Sequence, residues 1–389
     1  MVKRFIGALL LLLALKPLLA IEKEPLTEYK ARRDRLASRI KGNVLVVRAA
    51  PEQELVKYYQ EPNFYYLTGF DQPEAILLLD AASNPPQEFL FLPERKPATE
   101  RWTGPKLGPG PEAEKATGFT KVLPTSEFDA TLKSASQHAK AVYGLKDVEK
   151  EMAYLRQTKS ATELTLLEKA IQITVKAQEA AARTITPGVM EYEVQAALEY
   201  EFTRNGAERP GYPSIVGSGP FSTVLHYNDN RRRMQAGDVV VVDVGAEYSG
   251  YSADVTRTYP VSGKFSPRQR EIYQIVLDAQ KAAIAKVKPG ARISDMHNAA
   301  MGYIRSKGYE KYFIHGTGHH IGLEVHDVGE TSRPFEPNMV ITAEPGIYIP
   351  EEQLGIRIED DVLVTGTGYR VLSDFPKEIS EIEALVKHQ

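Results

Sequence analysis

The sequence predicts an α+β fold: a C-terminal domain of helices and antiparallel hairpins, preceded by a smaller mixed α/β domain. Three long stretches with helical apolar spacing, about 160–186, 190–205 and 267–287, support the first part. Short β-branched and aromatic runs, broken by Pro, Gly and Asn, support the second. The helices stand before and between paired strands. That order suits an α+β layer, not a parallel doubly wound sheet.

The first twenty residues, MVKRFIGALLLLLALKPLLA, combine Lys3 and Arg4 with an apolar run from Phe5 to Leu15. This reads as an export signal ending at Ala20, too short for a spanning helix of about 20 residues. The expectation is an exported chain, periplasmic or secreted, with no stable membrane insertion after cleavage. Residues 21–150 form the expected amino-terminal domain. Its strand-like runs are NVLVVRA (43–49), FYYLTGF (64–70), AILLLD (75–80) and EFLFLP (88–93). The Gly- and Pro-rich stretch 101–118 reads as loop. Residues 151–389 form the expected C-terminal domain. Ser160 and Glu163 make a capping box, and Pro187–Gly188 stops the helix that follows. Strand runs then appear at 238–245, 252–261, 339–349 and 355–365.

Composition narrows the chemistry. The chain has 389 residues, a formal net charge of -3 and no cysteine. A nucleic-acid binder would usually carry a basic domain, so no nucleic-acid partner is expected. Without thiols there is no disulfide, no cysteine nucleophile and no thiolate metal site. Any metal must be held by His, Asp and Glu. Arg231, Arg232 and Arg233 read as a solvated loop. Gly217 and Gly219 lack the downstream Lys-Ser/Thr of a phosphate-binding loop.

Four acids and a histidine cluster remain. Asp243 ends an apolar run and Asp254 follows it across a turn. With the turn centred between Tyr248 and Ser249, the two would oppose each other directly, Cβ atoms about 5 Å apart. Carboxylates that close demand a proton or a cation. Two unrelated acids on an exposed turn are the competing reading. The segment HGTGHHIGLEVHD (315–327) holds four of the eight histidines among glycines. It is either a metal-ligating loop or a glycine-rich turn. Glu344 and Glu359 sit in apolar strand runs, where a carboxylate is costly unless partnered. Arg357, two residues from Glu359, is a possible partner on the same strand face. Oxygen-rich ligation with one imidazole suits Mn²⁺, Co²⁺ or Zn²⁺, and four carboxylates would balance two such ions. A pair about 3.5 Å apart can activate water for hydrolysis.

The segments carrying these residues resemble the pita-bread metallopeptidases, and within them aminopeptidase P and prolidase. They are YPSIVGSG (212–219), VLHYNDN (224–230), VDVGAEYSGYSADVTRTYPVSGKFSPRQREIY (242–273), HGTGHHIGLEVHDVG (315–329), ITAEPGIYIP (341–350) and GIRIEDDVLVT (355–365). NFYYLTGFDQPEAILLL (63–79) resembles the family's amino-terminal domain more loosely. The resemblance implies a C-terminal pita-bread domain holding two divalent ions, Mn²⁺ first and Co²⁺ or Zn²⁺ as alternatives. It implies Asp243 on one ion, His319 and Glu344 on the other, and Asp254 and Glu359 bridging both. It implies catalytic roles for His226, His326 and Glu344: the two histidines stabilise the tetrahedral intermediate, and Glu344 shuttles a proton. With His226 and His326 contacting substrate, it further implies His315, Tyr348 and Arg357 around a proline pocket. The expected substrate is a peptide with proline at its second position, cut by a bridging hydroxide. A homo-oligomer is expected. Prolidase is the nearest rival, a methionine aminopeptidase a more distant one, and a non-catalytic peptide-binding module on the same fold the rival from another class.

Overall fold

The computed structural model describes residues 22–386. The expected export signal at 1–20 and the last three residues of the expected catalytic domain lie outside the described residues. Among the described residues no helix is long and apolar enough to cross a membrane.

The amino-terminal part is built on one mixed sheet. In chain order it comprises α1 (Leu26–Arg39), β1 (Val44–Arg48), α2 (Pro62–Thr68), β2 (Ile76–Asp80), β3 (Gln87–Leu92), α3 (Pro97–Thr103), α4 (Pro111–Thr117), β4 (Val122–Pro124), α5 (Phe128–Ser136) and β5 (Val142–Tyr143). The strand order is β4-β3-β2-β1-β5, with parallel pairs at both edges and antiparallel pairs inside. Central β2 is buried throughout. Leu77 and Leu79 join the main core, while Ile76 and Leu78 pack with Phe128 of α5 on the other face. Burial on both faces explains why AILLLD is continuously apolar.

Two sequence expectations fail in this part. The run 64–70 is helical, not extended. Pro62 starts it, Glu61 accepts from Phe64 N–H (2.6 Å), and Gly69 ends it in a left-handed conformation. The stretch 101–118 is not simply loop, since it contains the end of α3 and all of α4, each opened by a proline. Helix α1 gave no separate signal. It buries Arg32 and Arg33, which pair with Glu24 and Glu88.

The C-terminal part continues with α6 (Glu149–Gln157), α7 (Ala161–Thr184), α8 (Glu191–Arg204), β6 (Arg209–Pro210), β7 (Ile215–Ser218), β8 (Val239–Val244), β9 (Ala246–Tyr248), β10 (Tyr251–Ser252), β11 (Val255–Pro260), α9 (Pro267–Ile284), α10 (Ile293–Ser306), β12 (Val340–Ala343), β13 (Gly346–Ile349), β14 (Leu354–Arg357), β15 (Asp360–Val364), β16 (Tyr369–Val371) and α11 (Ile379–Leu385). Helix α10 had no separate signal in the sequence. Ser160 caps α7 with Glu163 bonding back, the expected capping box. Helices α7 and α8 back the sheet β7-β8-β11, while α9 packs on β12, β13 and β14 and α10 packs on α9. The part thus has two similar halves, each a helix pair behind antiparallel strands.

The first hairpin turns at Ser249–Gly250, both with positive φ (51° and 81°), as a two-residue primed turn requires. Asp243 therefore pairs with Thr256, not with Asp254. The register differs from the expected one by two residues. A shift of two preserves the face, so Asp254 stays on the Asp243 side as a diagonal neighbour. Gly245 makes this possible: a Cβ there would lie 1.7 Å from the Ala253 carbonyl oxygen.

Candidate active site

The ligand-type residues sit where strands end. Asp243 is the penultimate residue of β8, and Asp254 immediately precedes β11. Glu344 occupies the gap between β12 and β13, and Glu359 the gap between β14 and β15. Pro345 has no N–H to continue the ladder, so the strand breaks beside Glu344. Each half reinforces its strands from behind with a buried glutamine on its first helix. Gln178 of α7 donates to the carbonyls of Val242 (3.1 Å) and Val255 (2.7 Å). Gln280 of α9 donates to those of Ala343 (3.1 Å) and Ile358 (3.3 Å). All four carbonyls belong to residues adjacent to the acids.

The five side chains converge. Asp243, Asp254, His319, Glu344 and Glu359 line one cavity of about 580 Å³. One nitrogen of His319 and one oxygen each of Asp254 and Glu359 lie within 4.8 Å of one another. His319 Nε2 is 3.5 Å from Asp254 Oδ2 and 3.6 Å from Glu344 Oε1. Neighbouring His320 turns away, to Gln157 at 2.9 Å. The loop 315–327 is irregular, as its glycines indicate.

The surroundings orient these groups. Thr256 Oγ1 donates to Glu359 Oε2 (2.7 Å), while Glu359 Oε1 is buried with no protein partner. Tyr212 OH lies 2.5 Å from an oxygen of both Asp243 and Asp254. Thr256 and Tyr212 were not singled out from the sequence. Tyr212 opens the quoted segment YPSIVGSG, but a lone tyrosine before a strand carries no local signal. Arg357 does not partner Glu359. It donates to Asp243 Oδ2 (2.6 Å) and to Tyr348 OH (2.9 Å), which also meets His315 Nε2 at 2.9 Å. Glu359 lies beyond the end of β14, so the same-face argument from strand alternation does not reach it.

The electrostatics follow from burial and partners. Burial would raise Asp243, but Arg357, together with hydrogen bonds from Tyr212 and Thr256, holds the carboxyl below its ordinary range. Burial, then Asp243, raises Asp254; burial with Asp254 and Glu344 raises Glu359 well above normal. Burial pushes Glu344 up to about 7 against the pull of His319. Burial would lower His319, but Asp254 raises it to about 9. Burial and Arg357 lower His315 to about 4. Buried carboxylates this close, one with a free oxygen, fit a cation-binding centre: without a cation they must take up protons or borrow one from His319.

His226 and His326 also line the cavity, toward its exposed side. The His326 ring meets that of His319 edge-on, centroids 4.3 Å apart. The segment carrying His226 is held by buried Glu191, which accepts from Ser218, Tyr227 and Arg232. Of the basic triplet, Arg232 is not solvated: it is half-buried and pairs with Asp238. Arg231 and Arg233 are exposed.

Comparison with known proteins agrees with this architecture. Residues 165–366 match the model of metallopeptidase family M24, and residues 29–143 match that of the aminopeptidase P N-terminal domain. A Xaa-Pro aminopeptidase of Haemophilus influenzae is 33% identical, over 94% of this chain and 98% of its own. A Xaa-Pro dipeptidase of Pyrococcus horikoshii is 39% identical, over 69% of this chain and 76% of its own. The structure of aminopeptidase P from E. coli with the inhibitor Pro-Leu superimposes with a TM-score of 0.87 at 32% identity, covering 94% of this chain and 99% of that one. The chain belongs to the pita-bread metallopeptidases of the aminopeptidase P family and is a metal-dependent hydrolase.

Proposed function

We propose that the chain removes the first residue from peptides whose second residue is proline. The observation that carries this reading is the meeting of Asp243, Asp254, His319, Glu344 and Glu359 in one cavity, in a chain similar to Xaa-Pro aminopeptidases along nearly its whole length. These five would hold two divalent ions, with Asp254 and Glu359 serving both. Mn²⁺ suits the oxygen-rich set, and Co²⁺ and Zn²⁺ accept the same donors. When bound, such ions supply Lewis acidity and water activated as a nucleophile at neutral pH.

The chain's own residues do the rest. Arg357, Tyr348 and His315 form a bonded polar cluster at the cavity, and Asp243 fixes the guanidinium. This cluster would bound the proline pocket. His226 and His326 face the cavity and would each donate one N–H to the substrate. Burial lowers His326, so its ring is a neutral donor at pH 7. It would stabilise negative charge developing on the scissile carbonyl oxygen. Glu344 would take up a proton and pass it to the leaving proline nitrogen.

A dipeptidase is the second reading, favoured by the higher identity to the Pyrococcus horikoshii relative over a shorter span. One assay separates them: Xaa-Pro-Yaa and Xaa-Pro peptides, with chelator and with added Mn²⁺. The proposal expects chelator-sensitive release of the first residue from the longer peptide. Cleavage of dipeptides alone selects the second reading, and full activity after thorough chelation rejects both. Export through the segment 1–20 and self-association belong to the same proposal. N-terminal sequencing of the exported chain tests the first, and sedimentation tests the second.

A further inference from the structure

The segment from His319 to Gly329 carries two imidazoles of the site but is held unevenly. Its first half lies on β12. His319 N–H donates to Thr342 Oγ1 (3.1 Å), Thr342 N–H to the His319 carbonyl (2.9 Å), and Ile321 N–H to the Val340 carbonyl (3.4 Å). Its second half, 323–329, pairs with no strand among the described residues. There the chain is gripped through Asp327. The Asp327 N–H donates to the His320 carbonyl (2.9 Å). Its buried carboxylate accepts from the Arg156 guanidinium on one oxygen and from Lys159 Nζ (3.3 Å) on the other. Arg156 also donates to Glu324 Oε2 (3.0 Å) and to Asn63 Oδ1 (2.8 Å) on α2. Lys159 is steadied by the Arg156 carbonyl (2.8 Å). Gly322 leaves room for the grip, since a Cβ there would lie 2.2 Å from Asp327 Oδ2.

Two cations buried on one carboxylate are a poor way to gain stability, because desolvation offsets most of their attraction. They are a good way to fix a position. Asp327 follows His326 directly, and no side-chain hydrogen bond among the described residues holds the His326 ring itself. We infer that Arg156, with Lys159 and Asp327, is a positioning clamp that sets His326 at the cavity, and that Asn63 extends its hold to the amino-terminal sheet domain. This rests on the role proposed above for His326. It leaves His319 out, because β12 holds that residue independently.

The test is a double-mutant cycle on the full chain: His326→Ala, Arg156→Lys and the pair, assayed with Mn²⁺ on a Xaa-Pro-Yaa peptide. Mn²⁺ affinity is measured alongside by calorimetry. Arg156→Lys should lower kcat about tenfold or more, with KM and Mn²⁺ affinity within about threefold of wild type. On the His326→Ala background it should cost less than about twofold further, since coupled residues are non-additive. Equal losses on both backgrounds, or Mn²⁺ affinity falling in step with kcat, overturn the clamp. Wild-type kcat in His326→Ala removes the role of His326 itself, and the clamp with it. Should Arg156→Lys fail to fold, Gly322→Ala crowds Asp327 without altering charge, and the same expectations and the same overturning results apply.

Discussion

Arg357 Nη2 donates to Asp243 Oδ2 over 2.6 Å, joining β14 to β8 across the cavity. With hydrogen bonds from Tyr212 and Thr256, this guanidinium keeps Asp243 below its ordinary range in the midst of three other acids. Arg357→Met should therefore weaken the metal-free chain most. Removing one partner of a buried ion pair costs about 3–5 kcal/mol, and bound cations would offset part of that loss. Thermal melting with chelator should show a larger drop than melting with Mn²⁺. Equal drops would mean the pair does not balance the acids.

Metal binding should release protons. His319 is raised to about 9 from an ordinary 6.5. Its pairing with Asp254 therefore stabilises the metal-free fold fully below pH 6.5, and that contribution is lost as pH rises through 9. A metal needs the neutral ring, so at pH 7 binding displaces about one proton or more. Calorimetry in buffers of different ionisation enthalpy measures that number, and apparent Mn²⁺ affinity should climb between pH 7 and 9. A flat profile would contradict the raised imidazole.

Thr256→Val deletes the hydrogen bond that fixes Glu359 Oε2. Loss of such an orienting partner typically lowers metal affinity about 10–100-fold. Asp254→Ala should be far more severe and abolish nearly all turnover. Wild-type rates from Asp254→Ala would remove it from the centre altogether.

Gln280→Leu should destabilise the second half by about 1–3 kcal/mol, since it strands buried carbonyls beside Glu344 and Glu359. Gln178→Leu should act similarly on the first half. Urea unfolding gives the cost, and metal titration shows whether each loss spreads to the paired acids.

Much of this fold is legible in local signals. The Ser160–Glu163 box and the Pro187–Gly188 stop mark α7 because capping is decided within a few residues. The run 64–70 is misleading because Phe64, Tyr66 and Leu67 are all buried, so a short helix shows no polar face. The hairpin register depends on which pair adopts positive φ, and Ser249–Gly250 competes closely with Tyr248–Ser249. The four acids could be nominated from the sequence because a carboxylate in an apolar run needs a reason, and His319 through the family resemblance. The Arg357–Asp243 pair, Tyr212 and the glutamine supports could not, because each depends on which distant strand arrives opposite.

The acids from Asp243 to Glu359 are brought together only when both helix-backed halves have met. Neither half alone holds all four: Asp243 and Asp254 lie in the first, Glu344 and Glu359 in the second. Any cation shared by these acids would therefore be captured only after the two halves have docked, and separation of either would release it.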